Sequence, residues 1–315
     1  MAGLSAVPAA ESEAESEAEI KVRATRVGWA EAEGHLRTRR ALNLLMIGVF
    51  GLCTVAAVVS LMFILGWVAL QGMPALNVDF FTRLPGPPDD PHTGFANGIV
   101  GTLVLVGIAG AISVPVGIGA GIYLSEFGGS RFNTIIRFAT DVLSGVPSIT
   151  IGVFVYTWLV RPTRTFSALA GGTALALIML PLIIRSTEEM LRLVPRSIRE
   201  AALALGAPVW RTILSYTLPA ALPGVITGIL LAMARAAGET APLLFTALGN
   251  NQWSFSLTEP MAALPLQVYF GAQSAYEIQK QQAWGGALVL VALVLITSIS
   301  SRLVVRRIYG YGRPN

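Results

Sequence analysis

Two oppositely charged residues, Arg235 and Glu239, stand four positions apart in residues 218–248, a stretch otherwise free of charge. On a helix that spacing puts both side chains on one face, where they are expected to pair. Counted from Leu222 at about 1.5 Å per residue, Arg235 lies roughly 20 Å into a bilayer core about 30 Å thick. An ionised group there costs at least about 2.5–3.5 kcal/mol, so Arg235 is expected to face the bundle interior or a water-filled path.

Two interpretations of this pair stay open. Either it is a structural ion pair that holds helices together, or Arg235 binds an anion in transit, because a planar guanidinium can hold an oxyanion through two parallel hydrogen bonds. In the second interpretation Glu239 is a gate that neutralises Arg235 while the path is empty. The protonation state of Glu239 then matters, since an ionised carboxylate repels an anion. A third charged residue, Asp141, is expected to cap or orient a helix end.

A polar loop at about residues 186–217 carries a second pattern. Ser197 and Glu200 have the spacing of a capping box, which predicts that a short helix begins there. Gly206 is well placed to end that helix, and Pro208 suits the first turn of another short helix. On physical chemistry alone, a plain amphipathic connector at the membrane surface explains this helix–glycine–helix element as well as a functional role does.

Apolar stretches long enough to cross a bilayer position these residues. Hydrophobic residues make up 54% of the 315-residue chain and charged ones only 13%, against roughly 25% charged residues in a typical soluble domain. A run of about 18 or more apolar residues predicts a membrane span. Pro181 lies in one of these stretches, which is therefore expected to kink or end early. The predicted spans are residues 42–70, 97–124, 138–160, 167–184, 218–248 and 284–305.

The distribution of cations predicts the orientation of these spans. If the N-terminus is cytoplasmic, few of the 22 Lys and Arg residues fall outside. Those few are Arg83, Arg161, Arg164 and Lys280. All others except Arg235 fall inside, from the tail through Arg185 to Arg302 and Arg306, so both termini are expected to be cytoplasmic. The excess of basic over acidic residues thus indicates anionic membrane lipid, not nucleic acid, as the partner.

Several classes of site are absent from the sequence. Cys53 is the single cysteine, and the two histidines, His35 and His92, are far apart, so no group has metal-ligand spacing. There is no G-x-x-x-x-G-K-[ST] phosphate loop. We therefore expect no catalytic residues, no metal and no cofactor on this chain; any ATP and Mg must be held by a separate ATPase subunit.

The loop pattern resembles a known family. The Glu-Ala-Ala run, the following glycine and the Leu218-Pro219 pair are similar to the EAA loop of ABC importer permeases. The residues that the resemblance assigns to this coupling loop are Glu200, Ala201, Ala202 and Gly206. It implies an all-α membrane protein of six transmembrane helices, with the type I ABC importer permease (MetI-like) fold and a cytoplasmic coupling helix that docks on the ATP-binding subunit.

Three further stretches, at residues 145–149, 180–189 and 235–244, look like the PstA family of phosphate-importer permeases, and the similarity runs from about residue 93 to 302. It implies that Arg235 and Glu239 line the phosphate path in a bacterial inner membrane. It also implies three partners: a PstC-like permease, two copies of an ATP-binding subunit, and an extracytoplasmic phosphate-binding protein that docks on residues 71–96 and 249–283. The predicted division is a disordered cytoplasmic tail (1–40), a first transmembrane helix with its outer loop (41–95) and an ABC importer permease domain (96–310).

Three alternatives remain. A permease for another small oxyanion, molybdate or sulfate, would share these features. An ion-coupled secondary transporter is disfavoured by the coupling loop and by the lack of duplicated interrupted helices with ion ligands. A membrane sensor that does not transport would tolerate loss of the Arg235 charge.

Overall fold

The computed structural model describes residues 7–88, 90–128 and 131–309, with side chains described for 39–40, 42–88, 90–128, 131–300 and 303. These residues are helical and contain no β-strand, only an isolated bridge between Leu248 and Met261. The α-helices are α1 (Val7–Gly72), α2 (Val78–Thr82), α3 (Ala96–Glu126), α4 (Arg131–Gly145), α5 (Ser148–Val155), α6 (Arg161–Thr163), α7 (Ala168–Leu193), α8 (Arg196–Ala204), α9 (Val209–Thr212), α10 (Leu218–Ala237), α11 (Ala241–Thr246), α12 (Leu264–Ala272) and α13 (Glu277–Tyr309).

The chain divides into two units, residues 1–66 and 67–315. The first unit holds most of α1, which begins at Val7 and so includes much of the segment for which the sequence predicts a disordered tail. Alanine and glutamate, which recur throughout that segment, are strong helix formers. The side chains of residues 1–38 lie outside the described ones, as do those of Arg302 and Arg306. The division at residues 40 and 95 stays a prediction.

Within the described residues, five helices are long and apolar enough to cross a membrane. They are Leu42–Ala75, Ala96–Glu126, Ala168–Leu193, Val209–Ala237 and Glu277–Ser300. The pair α4 and α5–α6 gives a sixth crossing if it is taken as one broken span. The expectation of six spans is confirmed in that form.

The third span, predicted at residues 138–160, is not one continuous helix. The chain bends by 105° between α4 and the helix that begins at Ser148. Pro147 sits at the bend with φ −57° and ψ 137°. A proline lacks the N–H that a helix needs, and it disfavours helical geometry in the residue before it. The result is an amphipathic helix, α4, followed by an apolar one.

The fourth span continues where the sequence predicts a kink or an early end. α7 runs through the buried Pro181 to Leu193, well past the predicted end at residue 184. Its close packing against α3 supports the helix, in the way that neighbouring helices make proline tolerable in membrane helices. A β-carbon at Gly117 of α3 would come within 2.6 Å of Ile183, and one at Gly121 within 2.6 Å of Thr187. The α3–α7 contact thus needs both glycines.

The fifth span is also different from the predicted continuous stretch at residues 218–248. It begins at Val209, because α9 continues through a π-helical turn (Ile213–Thr217) into α10. It ends at Ala237, where Gly238 terminates the helix. After a short break the chain forms α11. This break between α10 and α11 places the charged residues described next.

Candidate functional site

Arg235 and Glu239 flank the end of α10. Arg235 lies in its last turn, and Glu239 follows Gly238, so the two residues do not share one helix as predicted. The chain still brings them within ion-pair range, with 3.7 Å between Arg235 Nε and Glu239 Oε1. That separation is too long for a hydrogen bond. The Arg235 side chain is 61% exposed and that of Glu239 only 17%, so the guanidinium is the accessible member of the pair.

A cavity of about 230 Å³ lies beside Arg235. Its polar lining consists of Arg235 from α10, Arg185 from α7, and Ser144 and Ser148 from the two sides of the α4–α5 bend. The remaining wall is apolar and is formed by Leu143, Val146, Ile151, Ile178, Pro181 and Leu182. Two guanidinium groups and two hydroxyls therefore converge on a space with room for a small oxyanion.

Arg185 is held more closely than Arg235. Its Nη2 donates a hydrogen bond to Asp141 Oδ1, which ties α7 to α4. Asp141 was expected to cap or orient a helix end; instead it pairs across two helices, in the turn before α4 ends at Gly145. The cavity thus has one guanidinium that is hydrogen-bonded to a carboxylate and one, Arg235, that is paired without a hydrogen bond.

Sequence reasoning missed three of the four polar lining residues. Arg185 directly follows an apolar run and was counted among the cytoplasmic cations, but α7 extends past it. Ser144 and Ser148 come together because Pro147 bends the chain between them. The signal that could have located them is this proline, which predicts a helix break within an otherwise apolar span.

A buried carboxylate next to this region fixes α4 to α7. The Glu188 side chain is 4% exposed; Arg137 Nε donates to its Oε1 at 2.9 Å, and Arg192 Nη2 lies 2.7 Å from the same oxygen. Arg137 also donates to the Leu124 carbonyl near the end of α3. A buried carboxylate is tolerated when it is paired in this way. These contacts hold the ends of α3, α4 and α7 together.

The predicted coupling loop forms two helical segments. α8 begins at Arg196 after Pro195, with no side-chain cap, so the capping box of Ser197 and Glu200 is not formed. Ser197 instead lies inside the first turn. Gly206 ends the helix as predicted, with φ +82°, in the left-handed region that favours glycine. Gly206 N–H donates to the Leu203 carbonyl at 2.9 Å, and the next N–H donates to Ala202 at 3.1 Å.

The loop exposes an apolar surface together with its acid. Glu200 and Ala201 are exposed, whereas Ala202 is buried against the rest of the chain. The exposed large apolar side chains on the same loop include Leu203, Leu205, Val209 and Trp210, with Leu205 88% exposed. A cluster of this kind is typical of a docking surface.

A charge cluster also lies outside the candidate spans. Asp79 Oδ2 is 2.7 Å from Nδ1 of His92, and Asp79 Oδ1 is 3.0 Å from Nε of Arg83. The hydrogen bond with His92 holds the pKa of Asp79 below its ordinary value of 3.8, with a further contribution from the Arg83 charge. Asp79 therefore connects α2 to the loop that contains His92.

The chain matches known proteins over most of its length. Residues 113–309 match the family model described as "Binding-protein-dependent transport system inner membrane component". The chain is 46% identical to the phosphate transport system permease protein PstA of Xylella fastidiosa (strain Temecula1) over 239 residues, which cover 75% of this chain and 83% of the relative. It is 41% identical to PstA of Yersinia pestis over 286 residues, 90% of this chain and 94% of that one.

Solved structures with the same fold include the permease of the MetNI methionine ABC transporter in an inward-facing conformation. It aligns with a TM-score of 0.55 at 21% identity, covering 67% of this chain and 94% of that one. An amino acid ABC transporter aligns with a TM-score of 0.52 at 17% identity, covering 68% of this chain and 93% of that one. The expected type I ABC importer permease (MetI-like) fold is confirmed. This multi-pass membrane chain belongs to the family of binding-protein-dependent transport system inner membrane components and, within it, to the PstA permeases.

Proposed function

We propose that this chain is the transmembrane permease subunit of an ATP-driven phosphate importer and forms half of the translocation path. The observation that carries the proposal is the cavity in which Arg235 and Arg185 converge with two serine hydroxyls. Its ligands suit a tetrahedral oxyanion, because guanidinium groups and hydroxyls donate hydrogen bonds that anionic oxygens accept. Family membership supports phosphate as that oxyanion, since the relatives at 41–46% identity are phosphate transport permeases.

Arg235 is the residue best placed to bind the passing anion. Its guanidinium is exposed at the cavity, and its contact with Glu239 at 3.7 Å is loose. The contact is too long for a hydrogen bond, so an anion that forms two hydrogen bonds with the guanidinium can replace the carboxylate. Glu239 then acts as a gate: it neutralises Arg235 in the empty path and is displaced when phosphate arrives. No covalent step takes place on the protein.

Arg185 contributes to the same site in a different way. Because Asp141 already engages its guanidinium, the pair as a whole is neutral and offers less attraction to an anion. Ser144 and Ser148 provide hydroxyl donors across the bend. The Ser144 hydroxyl donates to the Thr140 carbonyl at 2.9 Å and must rotate to donate to an anion. Neutral hydrogen bonds of this kind hold an anion less strongly than a further cation would, so the anion can leave again.

ATP and Mg are expected on a separate ATPase subunit, with two copies in the complex. The docking site for that subunit is the coupling loop around Glu200, Ala201, Ala202 and Gly206. Support comes from the apolar side chains exposed there and from the left-handed Gly206, which fixes the turn between α8 and α9. A rigid loop connected to two spans can convert closure of the ATPase into tilting of helices.

Two other partners complete the proposed complex. A PstC-like permease would supply the second half of the path, which agrees with the position of Arg235 on an open side of this chain. An extracytoplasmic phosphate-binding protein would dock on residues 71–96 and 249–283. The cation distribution favours cytoplasmic termini in a bacterial inner membrane, with lipid rather than nucleic acid around the chain.

A second oxyanion, sulfate or molybdate, is the alternative that the cavity itself favours, because its donors fit any tetrahedral oxyanion. Uptake measured with phosphate in competition with sulfate and molybdate separates these substrates. An excess of sulfate that suppresses phosphate uptake as strongly as unlabelled phosphate would assign the path to oxyanions in general.

The decisive experiment is ATP-dependent phosphate uptake into vesicles that contain the reconstituted complex. We expect Arg235→Gln to abolish uptake while the complex still assembles, because no other lining guanidinium is free. Arg161→Gln, which removes an exposed cation outside the cavity lining, is the matched control and should transport normally. If Arg235→Gln loses assembly as well as uptake, Arg235 and Glu239 instead form a structural ion pair. Phosphate uptake without any ATPase would contradict the proposal of an ATP-driven importer.

A further inference from the structure

One arginine in the coupling region contacts the ends of two other helices. Arg199 of α8 donates from Nη2 to Glu126 Oε1 at 2.8 Å and to the Leu191 carbonyl at 2.8 Å. Its Nη1 donates to the Val194 carbonyl at 3.2 Å. Glu126 is the last residue of α3, and Leu191 lies in the last turn of α7. A single guanidinium therefore joins α8 to the ends of α3 and α7.

This contact is well shielded and fits the chemistry of helix ends. The side chains of Arg199 and Glu126 are only 20% and 11% exposed. The last carbonyls of a helix have no partner within the helix and carry partial negative charge, so a cation is favourable there. Lysine could not replace the arginine fully, because one ammonium group cannot reproduce the planar set of donors.

The two faces of α8 differ in their exposure. Arg199 and Ala202, which share a face at i,i+3, point into the protein, and Ala202 is buried. Glu200 and Leu203 are exposed on the side that would meet the ATPase. The covalent connection from α7 to α8 is short, since α7 ends at Leu193 and α8 begins at Arg196. Without Arg199, α8 would be joined to the end of α7 mainly by the short stretch of backbone between them.

We propose that Arg199 is a positioning residue that transmits movement of α8 to the wall of the cavity. α7 is one continuous helix from the Leu191 contact back to Arg185, and it is packed tightly on α3. A shift of α8 that pulls the ends of α3 and α7 therefore moves Arg185 relative to Arg235, which is carried by α10. This inference rests on the proposed role of the loop as the ATPase docking site.

The test is the ratio of phosphate transported to ATP hydrolysed in the reconstituted complex. For Arg199→Gln we expect the ATPase subunit to co-purify and to hydrolyse ATP, while phosphate uptake per ATP falls about tenfold, a typical size for coupling between sites. Glu126→Gln should reduce the ratio in the same direction. Arg199→Lys retains the charge and should recover part of the lost phosphate uptake per ATP. Arg131→Gln, at the exposed start of α4 and away from α8, is the control and should leave the ratio unchanged.

The possible outcomes distinguish failure of this inference from failure of the proposed function. An unchanged ratio in Arg199→Gln overturns the inference and leaves the importer intact. Loss of the complex, or equal losses of hydrolysis and uptake, overturns it too, because Arg199 would then only stabilise the fold. A wild-type complex with no ATP-dependent uptake would contradict the proposed function itself and the inference with it.

Discussion

Arg185 and Arg235 lie on different helices, α7 and α10, and line one cavity. Each has its own carboxylate: Arg185 is bonded to Asp141 on α4, and Arg235 is 3.7 Å from Glu239 beyond the end of α10. The cavity is therefore close to neutral when empty. An anion that enters must compete with a carboxylate, and it competes more easily at Arg235, whose contact with Glu239 is too long for a hydrogen bond.

The first prediction concerns the gate. In Glu239→Gln the amide no longer neutralises Arg235, so phosphate should bind more tightly and leave more slowly. We expect the KM for phosphate uptake by the complex to fall at least about threefold, because even an exposed ion pair contributes up to roughly 1 kcal/mol and Glu239 is only 17% exposed, and maximal uptake to fall as well. Initial uptake rates at varied phosphate concentration measure both. A rise in KM would contradict a gating role for this carboxylate.

The second prediction separates the two arginines. Arg185→Gln should reduce uptake about fivefold or less, whereas Arg235→Gln should reduce it at least about 30-fold, because truncating the partner of a bound charge costs 2 kcal/mol or more. Asp141→Asn releases Arg185 into the cavity and should lower the KM for phosphate. If the Arg185–Asp141 pair is only structural, its two single variants should lose uptake equally, with the KM unchanged.

The sequence predicted well what depends on composition and on single-residue conformation. Hydropathy alone located the helices that form the spans, and the position of Gly206 predicted a left-handed helix end. Two prolines, Pro181 and Pro147, show what cannot be predicted in this way. Pro181 is buried in α7 and is tolerated there, whereas Pro147 bends the chain by 105°. Pro147 follows Gly145, itself a weak helix former, whereas Pro181 stands between leucines in a helix that packs closely on α3.

The candidate site could also be predicted only in part, because some of its residues come together only through tertiary packing. Arg235 and Glu239 were found because isolated charges in an apolar run are easy to recognise. Hydropathy counts Arg185 as a cation beyond the end of a span, since it ends a span at the first charge, while the helix itself continues past Arg185. Ser144 and Ser148 become neighbours of the arginines only through the tertiary fold.

A pH dependence is expected from the cluster at Asp79. Its pKa in the folded protein lies below the ordinary 3.8, mainly because of the hydrogen bond with His92. A lowered folded pKa stabilises the protein at pH values above the unfolded pKa, and this contribution is lost as pH falls through the folded pKa. The Tm of Asp79→Asn should therefore lie below that of the wild type at about pH 6, and the difference should shrink as the pH falls below the ordinary pKa of 3.8. A Tm difference that stays constant however far the pH falls below that value would contradict the assignment.

The close contact of α3 with α7 gives the last prediction. A β-carbon at Gly117 would lie 2.6 Å from Cγ2 of Ile183 and 2.9 Å from its Cβ, whereas one at Gly119 would meet nothing within 4 Å. Gly117→Ala should therefore push the two helices apart and destabilise the chain by about 1–3 kcal/mol. Gly119→Ala adds the same methyl group to the same helix and should be neutral or slightly stabilising, since alanine is the better helix former.

Thermal unfolding of the purified complex measures both glycine variants. Because α7 carries Arg185 and α3 ends at the Glu126 contact with Arg199, the separation of the helices should also lower phosphate uptake in Gly117→Ala at temperatures where it is still folded. Equal Tm values for the two variants would show that the α3–α7 contact adjusts without cost. In that case α3 and α7 would not move as the single rigid body on which transmission from α8 to the cavity depends.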